Sequence, residues 1–226
     1  MTVLRHFSYS AALCALLAAA APALADDDAQ VWLSLTATKR LSDSFDAVVD
    51  MNSRYFDNAA YYGHFQVRGM IGWKPDDSGL LGVGYSYVWN RSLTGSVVRE
   101  HRMFQQANYD ILTIGKAELV GRTRLEQRWF SNLDGATWRL RQQIRLNVPL
   151  QGPKGLKAIV HTEGFVLLST PAGGADEGVN QIRTFAGLGI PMGRHLSLEA
   201  GYLNQSVVAG TDRMNHALSL GLGAKF

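Results

Sequence analysis

An antiparallel transmembrane β-barrel of ten or twelve strands is the fold class the sequence predicts, on three observations. Apolar and polar residues alternate along most segments, which is the period of a strand. Many of those segments run to 10–13 residues, against roughly 5 or 6 for a usual soluble strand, and match a tilted strand crossing a bilayer. Aromatic residues such as Tyr61, Trp73, Trp89, Trp129 and Trp138 gather at segment ends, and the chain stops on an apolar-faced segment closing with Phe226. Aromatic girdles are expected at both interfaces of such a barrel.

Before the first segment, Arg5 and His6 precede an apolar run from Ala11 to Ala21 and the triplet Ala23, Leu24, Ala25. This order predicts a secretory signal peptide over residues 1–25, cleaved after Ala25, with one barrel domain over 26–226. The run is shorter than the roughly 18–20 apolar residues of a spanning helix. Cys14 leaves with the leader, so the mature chain has no cysteine and must hold by its hydrogen-bond ladder and packing. Losing Arg5 takes the formal charge from 22 − 19 = +3 to 21 − 19 = +2, too near neutral to suggest nucleic-acid binding.

Eleven strand segments follow: residues 30–38, 44–56, 61–73, 80–90, 100–111, 117–130, 137–148, 156–168, 181–190, 196–207 and 215–226. A bacterial single-chain barrel should have an even number, so either one strand is missed or one segment lies outside the wall. Connectors containing KPDDSG, TIGK, PLQGPKG and IPMGRH read as tight turns, and RSLTGSV, SNLDGA, STPAGGADEGVN and VAGTDRM as looser loops. With a periplasmic carboxyl terminus the tight set falls on the periplasmic side.

The segment ELVGRTRLEQRWF carries the chemistry. As a strand it puts Glu118, Arg122, Arg124, Glu126 and Arg128 on one face and Leu119, Gly121, Thr123, Leu125 and Trp129 on the other. In TWRLRQQIRLNV, Arg139, Arg141, Gln143, Arg145 and Asn147 oppose Trp138, Leu140, Ile144, Leu146 and Val148. Gln142 interrupts the apolar face, and a bulge there would turn it inward. Other inward candidates are Asp50, Arg54, Arg68, Glu100, Arg102, Glu163, Arg183 and Glu199. Glycine-rich stretches at Gly82–Ser86 and Gly187–Gly193 lack the strand-to-helix context of a phosphate cradle and suit a bending wall or a bulky neighbour.

The ordered set RTRLEQR, WRLRQQ, NQIRTFAGLG, GYLNQ and NHALSLGL, spread between Arg122 and Leu222, resembles a bacterial exported family catalogued as domain of unknown function 2490. The resemblance extends from Trp32 to Phe226. It implies an outer-membrane β-barrel and supplies no catalytic residue.

Localisation in the outer membrane of a Gram-negative bacterium follows as an expectation. The partners are outer-membrane lipid, the barrel-assembly machinery through the strand ending at Phe226, and a small anionic solute; nucleic acid is not among them. The first reading of the ionic face is structural: arginine and glutamate fill and brace a narrow interior. An alternative is a channel, of porin type, selective for anions or acidic oligosaccharides, since guanidinium groups bind carboxylate, phosphate and sulfate. A second alternative, an enzyme modifying lipid or lipopolysaccharide acyl chains, needs a serine, a histidine and an acid together at the rim. His101 and His216 can face outward and His161 lies near Glu163, but no serine has the spacing, so no catalytic residue is assigned. Neither a cofactor nor a metal site is read from the scattered histidines.

Overall fold

The structure, a computed structural model, describes residues 27–76, 79–152, 155–208 and 213–226; the leader read at residues 1–25 lies outside them. Eleven strands follow in order: β1 (Asp28–Arg40), β2 (Phe45–Phe56), β3 (Tyr61–Trp73), β4 (Gly79–Arg91), β5 (Val97–Ile114), β6 (Ala117–Phe130), β7 (Ala136–Pro149), β8 (Lys157–Ser169), β9 (Gly178–Met192), β10 (Leu196–Val207) and β11 (Arg213–Lys225). Each pairs with the next and β11 returns to β1, giving a closed barrel. Nothing is left with an open edge, the usual liability of long strands.

All eleven segments read from the sequence are in the wall, so the even count of ten or twelve is not met. The reason lies at the seam. A meander with an odd number of strands brings its first and last strands together in the same direction, and β1 pairs with β11 in parallel from Asp28↔Asn215 to Thr38↔Lys225. Every other pair is antiparallel. The even-number expectation assumes antiparallel pairing all round; one parallel seam removes it. It also puts the two ends of the barrel sequence on opposite rims, Asp28 on one and Phe226 on the other.

The four connectors read as tight turns all lie on the carboxyl-terminal rim, and the four looser ones on the amino-terminal rim. The contrast in length is smaller than the sequence suggested, since the connector at 150–156 is longer than that at 92–96.

Period two sorts the wall as expected. Leu33, Leu35, Val49, Ile71, Val83, Ile144, Val160 and Leu218 point outward and are exposed, while Arg102, Arg124, Glu126, Arg139 and Glu163 are buried inside. Gln142 departs from the expectation. It keeps regular pairing between Thr123 and Gly164, so no bulge turns it inward, and the irregularity of the β7–β8 pair falls elsewhere, at Leu168 of β8 opposite Trp138 and Arg139. Its amide is satisfied on the outer face instead: Thr123 Oγ1 donates to Gln142 Oε1 at 2.6 Å, and Gln142 Nε2 donates to Tyr109 Oη at 3.0 Å.

The glycines make room for bulk. A Cβ on Gly187 or Gly201 would meet the Phe185 ring at 2.6 or 2.7 Å, and one on Gly84 would meet Phe104, so small positions on the same and the adjacent strand house the aromatic side chains. Phe185 joins Trp32, Ile159, Leu203 and Ala217 in a buried apolar cluster on the β1, β8–β11 side.

Candidate functional site: the ionic interior

Ten arginines occupy inward register positions: Arg54, Arg68, Arg102, Arg122, Arg124, Arg128, Arg139, Arg141, Arg145 and Arg183. Five carboxylates face them along the middle of the bore, Asp50, Glu100, Glu126, Glu163 and Glu199, and Asp28, Asp46, Asp110 and Glu118 share the inward phase nearer the rims. Alternation alone explains the placement, because a wall whose outer positions are apolar leaves only the inner ones for charge.

Three glutamates organise β5 to β8. Glu100, fully buried, takes Arg102 Nε at 2.5 Å and Arg128 Nε at 2.5 Å. Glu126, 1% exposed, accepts from Arg139 Nη2 at 2.5 Å and from Arg141 Nη1 at 2.9 Å, with Arg124 Nη1 3.8 Å away. Glu163 receives both Arg141 Nε (3.0 Å) and Arg122 Nη2 (2.9 Å). Arg141 therefore ties Glu126 to Glu163, and the β6–β7 hairpin is joined to β8. Two-pronged guanidinium contacts of this kind are stronger than single hydrogen bonds and fix direction. Elsewhere Arg145 reaches across to Glu199 at 2.6 Å, and Arg68 pairs with Asp50 at 2.6 Å. A charge left alone at these depths would cost several kcal/mol, so pairing is what permits the interior to be ionic.

Aromatic rings separate the cations. Arg139, Arg141 and Arg183 lie 5.3, 4.6 and 4.6 Å from the Phe165 centroid, and Arg124 lies 4.7 Å from that of Phe104. Arg54 and Arg183 both stack on Trp32, whose indole N–H donates to Gln30 at 2.7 Å. Arg124 also donates to the buried Gln106.

The structure thus brings together the residues read as lumen-lining, with one departure. Glu118 has the inward phase but sits exposed at the carboxyl-terminal rim opposite Asn147, outside the network; Glu100, on β5, takes the part of local counter-charge. Trp32, Gln106, Phe104 and Phe165 were not singled out by sequence. The alternation in EHRMFQQ, with Glu100, Arg102, Phe104 and Gln106 at every second position, was the available signal for two of them.

A cavity of about 400 Å³ lies inside the carboxyl-terminal rim, lined by Gln106, Asn108, Asp110, Arg122 and Gln143 among others. Its deeper lining, Arg122 and Gln106, is already bonded to Glu163 and Arg124. The cavity is a vestibule that ends on the ion-pair layer.

His101 and His216 face outward, as the sequence allowed, and each meets a tyrosine: Tyr85 Oη and Tyr202 Oη lie 2.5 Å from the respective Nδ1. His161 faces inward and stacks on Phe185 at 5.0 Å. Among the described residues no group of three or more His, Cys, Asp or Glu is arranged to hold a metal ion.

Comparison with known proteins gives a family and no activity. A family model described as a protein of unknown function, DUF2490, matches residues 29–215. An uncharacterised protein of Methylorubrum extorquens is 32% identical over 231 residues, covering 99% of this chain and 100% of that protein.

Proposed function

The chain belongs to the DUF2490 family, and from that premise we propose that it is an outer-membrane barrel of a Gram-negative bacterium whose interior is closed by ion pairs. On this reading it is a structural element of the membrane, or at most a narrow pore. One observation carries the membrane part: the outer face is an apolar band that nothing in the barrel covers, with Leu33, Leu35, Val83, Ile144 and Leu218 all 38% exposed or more. Water-soluble proteins rarely show contiguous apolar surface on that scale.

The height of the band supports the same reading. Outward aromatics mark two levels. Near the amino-terminal rim Tyr55, Tyr62 and Trp89 form a run of ring contacts, the first pair tilted and the second stacked, with centroids 5.2 and 5.9 Å apart, and near the other rim are Phe45 and Trp73. Tyr62 and Trp73 bracket β3. Their separation is about 36 Å along a strand rising about 3.3 Å per residue, or about 28 Å along the axis at a tilt of about 40°. An outer-membrane barrel has an apolar band about 25 Å tall between aromatic girdles. An outer groove of about 540 Å³ lined by Phe45, Ile71, Trp73, Leu81, Val83 and Leu125 would then be filled by acyl chains.

Assembly through the last strand fits this reading. Phe226 N–H donates to the Thr38 carbonyl at 2.9 Å and its carbonyl accepts from Arg40 N–H at 3.0 Å. The terminal residue is thus locked in the seam once the barrel closes and is available to an assembly machinery only before closure.

A second reading, a conduit selective for anions or acidic oligosaccharides, draws on the excess of guanidinium over carboxylate and on the vestibule. It requires the Arg122–Glu163–Arg141–Glu126 chain of contacts to open.

Separation of inner and outer membranes on a density gradient tests the principal reading. The full-length chain should appear in the outer-membrane band, shortened by its leader, and resist extraction with alkaline carbonate. Recovery in the soluble periplasmic fraction contradicts it.

A further inference from the structure

We propose that the barrel holds a small oxyanion, of the phosphate or sulfate type, between Arg54 and Arg183 in the half of the interior nearer the amino-terminal rim. The argument begins with charge. Along the middle of the bore ten guanidiniums face five carboxylates, with Asp28, Asp46, Asp110 and Glu118 in the same inward phase nearer the rims, and the mid-bore shortfall is not spread evenly. Glu100, Glu126 and Glu163 serve six arginines of β5 to β7, and Asp50 and Glu199 serve one each. Arg54 and Arg183 have no ion pair to any described carboxylate.

These two come from opposite walls, β2 and β9, and converge on one ring. Arg54 Cζ is 3.8 Å and Arg183 Cζ 4.9 Å from the Trp32 centroid, so the guanidinium carbons stand less than about 9 Å apart, a span one tetrahedral oxyanion can bridge. Trp32 is held by its bond to Gln30, and Arg54 donates its Nε–H to Asn52 Oδ1 at 3.0 Å. Both arginines keep partial exposure although they lie inside a closed cylinder. Space the size of water therefore adjoins them.

An independent observation points to the same place. His64 is the cross-strand partner of Arg54 and is 5% exposed, and its Nε2 is buried with no hydrogen-bond partner. Its Nδ1 lies 2.7 Å from the side-chain amide of Asn90. That partner is Asn90 Oδ1, which accepts, so the ring carries its proton on Nδ1 and leaves Nε2 as a buried acceptor beside Arg54 that a protonated phosphate oxygen can satisfy. Two cations without an ion pair in a partly wet interior form a site for an anion, because a buried charge is tolerated only with a partner. A lipid headgroup is excluded as the source, since its chains cannot follow it inside the wall. The inference rests on the closed barrel and not on where the barrel resides.

Equilibrium dialysis of labelled inorganic phosphate against the purified, folded full-length barrel in detergent tests it. The expected result is one phosphate per chain, displaced by sulfate, with binding at least tenfold weaker in the Arg54→Gln, Arg183→Gln double variant and unchanged in Arg99→Gln, which removes an outward rim charge. The thermal midpoint of the unaltered protein should also rise in phosphate relative to chloride at equal ionic strength, a readout that does not depend on the variant folding. Absence of saturable binding by the unaltered barrel, equal binding by the double variant, or no difference in midpoint overturns the proposal.

Discussion

The two sides of the barrel interior are filled by different physics. From β5 to β8 the inward positions are long and charged, and Glu100, Glu126 and Glu163 gather arginines into a continuous brace. From β9 round to β1 the inward positions carry the Trp32, Phe185, Leu203 and Ala217 cluster and glycines that admit rings, Gly187 and Gly201 under Phe185 among them. The difference shows how a small barrel can be charged and still packed: one wall supplies length and the other supplies room. The ionic wall depends on pairing, where removing one partner strands another, and the apolar wall depends on volume.

Breaking the ionic side should have the largest effect. Glu126→Gln takes from Arg139 its ion-pair partner and from Arg141 one of two, and loss of one partner from a buried pair costs about 3–5 kcal/mol. Denaturant unfolding in lipid vesicles followed by tryptophan fluorescence should show that loss. Replacing Glu126, Arg139 and Arg141 together by leucine or methionine should recover part of it, because removing a buried pair with its partners is often neutral, while Glu163 keeps Arg122 and Arg124 loses its nearest carboxylate.

On the apolar side Phe185→Ala should cost about 3 kcal/mol in the same assay, as a cavity in a cluster that has no charge to strand. Gly201→Val sharpens the comparison from the other direction. An added Cβ there would collide with the Ala186 carbonyl oxygen, and overpacking of this kind costs about 1–3 kcal/mol. The smallest effect is expected at Arg145→Gln, whose partner Glu199 has a side chain 41% exposed; such a pair contributes about 0–1 kcal/mol.

The fold was legible in this sequence to an unusual degree because a two-faced wall writes itself as period two. The eleven segments, the phase of Arg122 to Arg145 and the terminal Phe226 strand all followed from alternation. The strand number did not, because closure through a parallel seam depends on long-range pairing of Asp28 with Asn215, which leaves no local mark. Gln142 was misread for a related reason: a polar residue on an apolar face looks like a register error until its partners Thr123 and Tyr109, on other strands, are known. Phase also placed Glu118 inward without showing that it sits at a rim. The convergence of Arg54 and Arg183 on Trp32 crosses the bore and has no sequence signature.

Planar-bilayer recording of the purified barrel tests most directly the claim that ion pairs close the bore. The unaltered protein should insert, as judged by protease protection in matched vesicles, and give no ohmic steps. Steady open steps from that same protein, with or without anion preference, would contradict a lumen sealed by Glu126 and Glu163.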